Sequence, residues 1–232
     1  PFLGLGQSLA TNFHALMTNG SVDIFRAILN SIIIAVITTV LAVAFSAMAG
    51  YAFARFRFPG RDLLFFIVLG ALMIPAQVTL IPLFILMSRF HLINSWWAII
   101  FPAVPSVFGV FLTRQAFLSF PQELVDAARI DGFTEFGIFF RIVVPLVKPT
   151  LSALGIIVFL GSWTNLLWPL VVLNNAPSYT IPVALSILES VQTQPNYGMV
   201  MLAASLATLP MLILFLLLRR NFISGIMSGY SR

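Results

Sequence analysis

Side chains able to do chemistry are few in this chain, and they are clustered. Lys and Arg number 12, Asp and Glu 7 and His 2, and the 232 residues contain no cysteine. The densest group is Pro121-Gln-Glu-Leu-Val-Asp-Ala-Ala-Arg-Ile-Asp-Gly132, followed by Arg141-Ile-Val-Val-Pro145 and Pro149. Glu123, Asp126, Arg129 and Asp131 offer charge pairing, Leu124 and Ile130 offer apolar contact, and Ala127 and Ala128 keep a helix surface low. That set suits recognition of another protein better than bond-making. No constellation of nucleophile and base is present for an embedded enzyme. No Gly-x-x-x-x-Gly-Lys-Ser/Thr run exists, and the single lysine, Lys148, lies between Val147 and Pro149. The usual phosphate cradle for a nucleotide is therefore missing. His14 and His91 lie far apart in polar stretches and read as solvated residues, so no metal site is expected. Without cysteine there is neither a disulfide framework nor a thiolate site.

The elements that must position this loop are membrane spans. Hydrophobic residues make up 60% of the chain and charged residues 8%, against roughly a quarter charged in a soluble domain. A spanning helix needs about 20 apolar residues, and five such stretches fit: 27–54, 62–90, 96–114, 150–173 and 197–218. The first carries small residues at Ala42, Ser46 and Gly50, which let helix backbones approach closely in lipid. The second is too long for one straight span, with a break expected at Pro75 and a continuation past Pro82. Broken helices are tolerated where they are buried in protein or line a cavity. Pro102 and Pro105 interrupt the third. Residues 1–26 read as an extramembrane lead-in, 174–196 as a polar segment, and 219–232 as a tail.

Net charge +5 reads as topology, with no nucleic-acid partner, because basic residues mark cytoplasmic loops. Arg55, Arg57, Arg61, Arg114, Arg129, Arg141, Lys148, Arg219, Arg220 and Arg232 fall on one side, and Arg26 and Arg89 on the other. The 115–149 loop and the C-terminus are thus expected in the cytoplasm, with residue 1 outside. Within the loop, Ser119-Phe-Pro-Gln122 has capping-box spacing, Pro121 suits a first turn, and Gly132 suits a left-handed terminator. A short helix is expected over 120–131. A second should be capped by Thr134, with Phe136, Phe139 and Phe140 on its apolar side. Trp163, Asn165 and Trp168 admit two readings. Asn165 is able to bond a polar solute while the Trp rings pack on a sugar face. It is equally able to bond a neighbouring helix, with Trp168 as an interfacial anchor, and this structural reading is preferred.

Asp126-Ala127-Ala128, Asp131-Gly132, Ile142 and Pro145 together resemble the EAA loop of inner-membrane permease subunits of ABC importers, nearest to the sugar-type permeases with the maltose system as type. Asn30-Ser31, Tyr51-Ala-Phe-Ala-Arg55, Met73-Ile-Pro75, Ile81-Pro82-Leu83, Trp163 and Trp168-Pro169-Leu170 also resemble family positions, as do Phe222, Gly225, Gly229 and Arg232 at the end. The resemblance implies an all-α polytopic helical bundle in a bacterial or archaeal cytoplasmic membrane. The chain opens at Pro1, and a sixth, N-terminal span is expected to be missing. The same resemblance makes Glu123, Asp126, Ala127, Ala128, Asp131 and Gly132 the helix that couples to an ATPase. It makes Trp163, Asn165 and Trp168 a possible translocation path, and Pro75, Pro82, Pro102 and Pro105 flexing points of an alternating-access cycle. Implied partners are two ATPase subunits carrying ATP and Mg, a second homologous permease and an extracytoplasmic solute-binding protein, with no cofactor in this chain. The implied solute is a sugar, polyol or glycerol phosphate ester. Two departures stand out: Asp126 replaces the motif's Glu, and Trp163-Thr164-Asn165 stands where the family has Trp-Asn-acidic. The alternative from another class, an ion-driven carrier, is disfavoured because no carboxylate sits in mid-span, Asp62 being terminal.

The topology has a direct check. A cysteine introduced at Ser178 should label from outside in intact cells, and one at Ser228 only after permeabilisation. The reverse pattern would invert the assignment.

Overall fold

A computed structural model of the chain describes residues 5–190 and 196–227. Gln194 and Pro195 of the 174–196 segment, and Ser228, Gly229 and Arg232 of the tail, lie outside the described residues. The side chains of Phe222 and Gly225 are likewise not described. Among the described residues the regular structure is all helical: α1 Leu5–Met17, α2 Ile24–Arg55, α3 Arg61–Gly70, α4 Ala76–Arg89, α5 Trp97–Ala103, α6 Val107–Leu118 and α7 Gln122–Ile130. There follow α8 Glu135–Ile138, a π-helical turn Phe139–Val143, α9 Val144–Leu146, α10 Lys148–Trp163, α11 Leu167–Val172, α12 Ile181–Ser190 and α13 Tyr197–Met227. Single 3-10 turns occupy Ala71–Met73 and Ala176–Ser178. Among the described residues, helix α2 alone is continuous, long and apolar enough to cross a membrane; three bent pairs pass that test jointly.

The chain divides into two compact units. One comprises 38–80, 102–159 and 220–232, and its centre is the approach of α2 to α6. The small residues expected at this contact are there. A Cβ on Gly50 would overlap the Thr113 hydroxyl and come within 2.8 Å of the Arg114 backbone nitrogen, and one on Gly109 would overlap Ser46. The gap thus left lets the buried Thr113 hydroxyl donate to the Ser46 carbonyl at 2.7 Å. Ser106 caps α6 by accepting from Gly109 N at 3.0 Å, which fixes where this helix starts. Below that crossing, Tyr51, Phe117, Val125, Ala128, Ile138, Phe139, Val143 and Val147 form one core. Tyr51 meets Phe117 edge-to-face at 5.6 Å.

The other unit comprises 1–37, 81–101 and 160–219. It is held by polar staples. Asn30, buried in α2, donates to the carbonyls of Pro177 and Tyr179 at 2.9 and 3.0 Å. Its neighbour Ser31 accepts from Ile181 N at 2.8 Å. Asn94, in the left-handed region at φ 64°, gives its N–H to Val172 O at 2.9 Å and accepts from Asn174 N at 2.5 Å. Asparagine tolerates that conformation better than other non-glycine residues.

One expectation holds and several are corrected. The break expected at Pro75 is present, and the 62–90 stretch bends by 101° between Met73 and Ala76. Ile74, the residue before Pro75, is forced extended at ψ 114°, as a following proline requires. Helix α4 nevertheless runs through Pro82 and α5 includes Pro102, while Pro105 lies in the gap between α5 and α6. Two of the four proposed flexing prolines therefore stand at breaks and two stand inside helices. The 150–173 stretch is interrupted at 164–166. The lead-in contains α1, and the outward polar segment contains α12.

The α2–α6 approach predicts that Gly50→Val destabilises the protein by about 1–3 kcal/mol through overpacking. The control Gly70→Ala, with nothing within 4 Å of its Cβ, should be neutral. Thermal unfolding of the purified transporter separates the two.

Candidate functional site

Helix α7 is amphipathic in a specific way. Val125 and Ala128 are buried, at 0% and 5% exposure, in the core with Phe117 and Phe139. Glu123, Leu124, Asp126, Ala127, Ile130 and Asp131 are exposed, with Ile130 at 87%. The low surface expected of the Ala pair is thus divided. Ala127 is accessible to a partner, whereas Ala128 faces the chain's own core, because i and i+3 residues share one helix face and Val125 already points inward.

The N-terminus of α7 is not the capping box expected from Ser119 and Gln122. Pro121 is the N-cap, extended at ψ 135°, with no side-chain cap. Ser119 instead donates to Ala116 O at 2.8 Å and closes α6. Arg55, from the end of α2, supplies the missing order. Its guanidinium donates to Phe117 O and Gln122 Oε1, and to Phe120 O at 2.7 Å, and it lies 4.3 Å from the centre of the Phe120 ring. One planar fork thereby satisfies the end of α6 and the start of α7 together.

The C-terminus behaves as expected. Gly132 has φ 82°. Gly132 N donates to Arg129 O, and Phe133 N donates to Ala128 O, each at 3.0 Å, the paired bonds of a Schellman ending. Nothing lies within 4 Å of a Cβ at Gly132, so the glycine answers to backbone conformation alone. Thr134 then caps α8 by accepting from Gly137 N at 3.2 Å. The three phenylalanines expected on one side diverge: Phe139 is buried, while Phe136 is 75% and Phe140 59% exposed.

A line of polar groups ties α7 to its neighbours. Gln122 donates to Asp126 at 3.1 Å, and Arg129 pairs with Asp126 at 3.0 Å and with Glu135 at 2.7 Å. Tyr51 reaches Glu135 at 3.5 Å. The hydrogen bond that Arg129 donates to Glu135 holds its guanidinium above the usual arginine range. Glu135 escaped sequence reasoning because it lies six residues from Arg129 across the Gly132 turn, outside i, i+4 spacing. Arg55 was visible only as part of a motif, with no signal for its three acceptors.

The three aromatic and amide positions are placed structurally. Trp168 Nε1 donates to Ala98 O at 2.8 Å, which commits its ring within the fold. Trp163 is buried. Asn165 is half-buried in the interruption between α10 and α11. A groove of about 490 Å³ in the same unit as α7 is lined by Val40, Ala44, Met48, Phe140, Leu151 and Gly155 among others. It is apolar and offers almost nothing to orient a hydroxylated solute. Among the described residues no three His, Asp or Glu side chains gather as a metal cluster.

Residues 42–228 match the family described as the binding-protein-dependent transport system inner membrane component. The chain belongs to this family. It is an inner-membrane permease subunit of an ABC transport system, and nothing favours the ion-driven carrier. Over 218 residues it is 43% identical to the arabinooligosaccharides transport system permease protein AraQ of Bacillus subtilis (strain 168), covering 94% of this chain and 77% of that one. It is 42% identical over 208 residues to the lactose transport system permease protein LacG of Rhizobium radiobacter, covering 90% and 76%. It is 33% identical over 226 residues to the sn-glycerol-3-phosphate transport system permease protein UgpE of Yersinia pestis, covering 97% and 80%. A solved bacterial ABC transporter involved in import of the acidic polysaccharide alginate shares the fold, with a TM-score of 0.81 at 20% identity, covering 91% of this chain and 79% of that one.

The permease's Arg55 fork generates a graded prediction. Arg55→Met leaves buried carbonyls unpaired and should cost about 1–3 kcal/mol. Arg129→Ala breaks only half-exposed pairs and should cost about 0–1 kcal/mol. Thermal unfolding and the protease sensitivity of the α6–α7 corner check both; equal effects would refute the distinction.

Proposed function

We propose that this permease imports a sugar or a related hydroxylated solute, such as an oligosaccharide, a polyol or a glycerol phosphate ester. The class follows from relatives named for arabinooligosaccharides, lactose and sn-glycerol-3-phosphate. The chain works with a second homologous permease, two ATPase subunits and an extracytoplasmic solute-binding protein. ATP and Mg are bound and hydrolysed on the partners, since this chain has no phosphate cradle.

The observation that carries the coupling role is the two-faced build of α7. Its inner face is keyed into a core that continues into α2 and α10, and its outer face is exposed, with apolar Leu124 and Ile130 between Glu123 and Asp131. A helix held on one side and bare on the other is a handle. When ATP closes the ATPase pair, a force applied to Ala127 and Ile130 passes through Val125 and Ala128 to the spans. The bends at Pro75 and Pro105, and the 79° bend between α9 and α10, are where the spans reorient. In this reading Asp126 is internal: its carboxylate is engaged by Gln122 and Arg129, so a shorter acid than the usual Glu still serves.

The test uses the exposed alanine. Ala127→Glu should leave membrane insertion intact, abolish co-purification of the ATPase, and cut solute uptake at least about tenfold, the effect of losing ~1.4 kcal/mol or more. Ala128→Glu is expected to fail earlier, at folding, because it buries a charge. Parent-level uptake by Ala127→Glu would end the coupling assignment. ATP hydrolysis by the permease purified alone in lipid would end the division of labour.

A further inference from the structure

Helix α1 belongs neither to the spans nor to the coupling helix. Its described part is 13 residues long, about 20 Å at ~1.5 Å per residue, shorter than a hydrocarbon core of about 30 Å. No Asp, Glu, Lys or Arg occurs between Pro1 and Val22. Its side chains fall into three strips. One faces its own unit: Leu16 is buried, and Asn12 sits so close to α13 that a Cβ on Gly198 would come within 2.8 Å of its amide carbon. A second is polar and exposed, with His14 and Thr18, whose hydroxyl donates back to His14 O at 2.8 Å. The third is Leu9, Phe13 and Met17, at i, i+4 and i+8, all exposed and apolar.

We propose that α1 is an interfacial helix that seats Leu9, Phe13 and Met17 in lipid at the surface of the membrane. Between a protein-bound edge and a polar edge, an apolar strip of this kind fits the boundary of headgroups and acyl chains. The corner joining α1 to the first span holds it at that level. Asn19 accepts from Ser21 N and Val22 N at 3.0 and 3.3 Å, and Asp23 caps α2 by accepting from Arg26 N at 3.0 Å. Val22, Ile24 and Ala27 are buried beyond it. The strip continues into Phe25 and Leu29, exposed on the first turns of the span itself, so the same lipid face serves both helices. Many interfacial helices use lysine and arginine on anionic headgroups. With no charge here, the attachment depends on apolar burial and is indifferent to headgroup charge. The inference rests on the membrane location of the chain and is independent of what α7 does.

The absence of cysteine makes the test clean. Single nitroxide labels at Leu9→Cys, Phe13→Cys, Met17→Cys and His14→Cys are read in the assembled transporter, in vesicles of phosphatidylethanolamine with and without phosphatidylglycerol. The ratio of relaxation by oxygen to relaxation by a water-soluble nickel chelate should be several-fold higher at 9, 13 and 17 than at 14, in both vesicles. Equal ratios at all four positions would place the strip in water and overturn the proposal. Exclusion of both relaxants from 9, 13 and 17 would mean that another protein subunit or the binding protein covers it, which overturns the proposal equally. Three labels on one strip keep the result decisive if one variant fails to assemble.

Discussion

The close approach of α2 to α6 is the contact on which the rest of the α7-bearing unit depends. It exists because Gly50 and Gly109 present no side chain where Thr113 and Ser46 need the room. In hydrocarbon there is no hydrophobic drive between helices, so association relies on close packing and interhelical hydrogen bonds. The Thr113 bond to the Ser46 carbonyl supplies one. Once the two helices are fixed there, the end of α2 arrives beside the end of α6. Tyr51 enters the core and Arg55 meets three acceptors at the α6–α7 corner. A small-residue contact between α2 and α6 thus determines where α7 stands.

Rigidity and exposure are partitioned across α7. The inner face is packed to near-zero exposure, and the ends are fixed by the Arg55 fork and the Gly132 turn. Stiff attachment suits the coupling role proposed for α7, because a loose helix would dissipate displacement locally. The π-helical turn at Phe139–Val143 follows α8. Such turns often occur at functional sites, and here Phe139 turns into the core while Phe140 stays outside. The other unit uses a different device. Asn30, Ser31 and Asn94 each satisfy backbone groups of the 172–181 segment, so irregular backbone is accommodated through side-chain partners.

The sequence alone determined the class of this protein. A chain 60% hydrophobic and 8% charged has to live in a membrane, and the basic residues are distributed by loop. Single residues with one dominant backbone consequence were also readable: Gly132 adopted its left-handed turn, Thr134 capped its helix, Pro75 broke its span, and Gly50 marked a tight helix contact. The first three rest on local sterics or on a hydrogen bond within three residues, and the fourth on a missing side chain that leaves room for another helix. Tertiary structure alone decided which faces are used. Ala128 and Ala127 are adjacent and identical in kind, yet one is core and the other surface. Ser119 and Gln122 have capping-box spacing but are drawn off by Ala116 and by Arg55, 67 residues away from Gln122. Trp168, a candidate for solute contact, spends its N–H on Ala98. Local sequence cannot carry such choices, because each depends on a partner brought near by the packing of other helices.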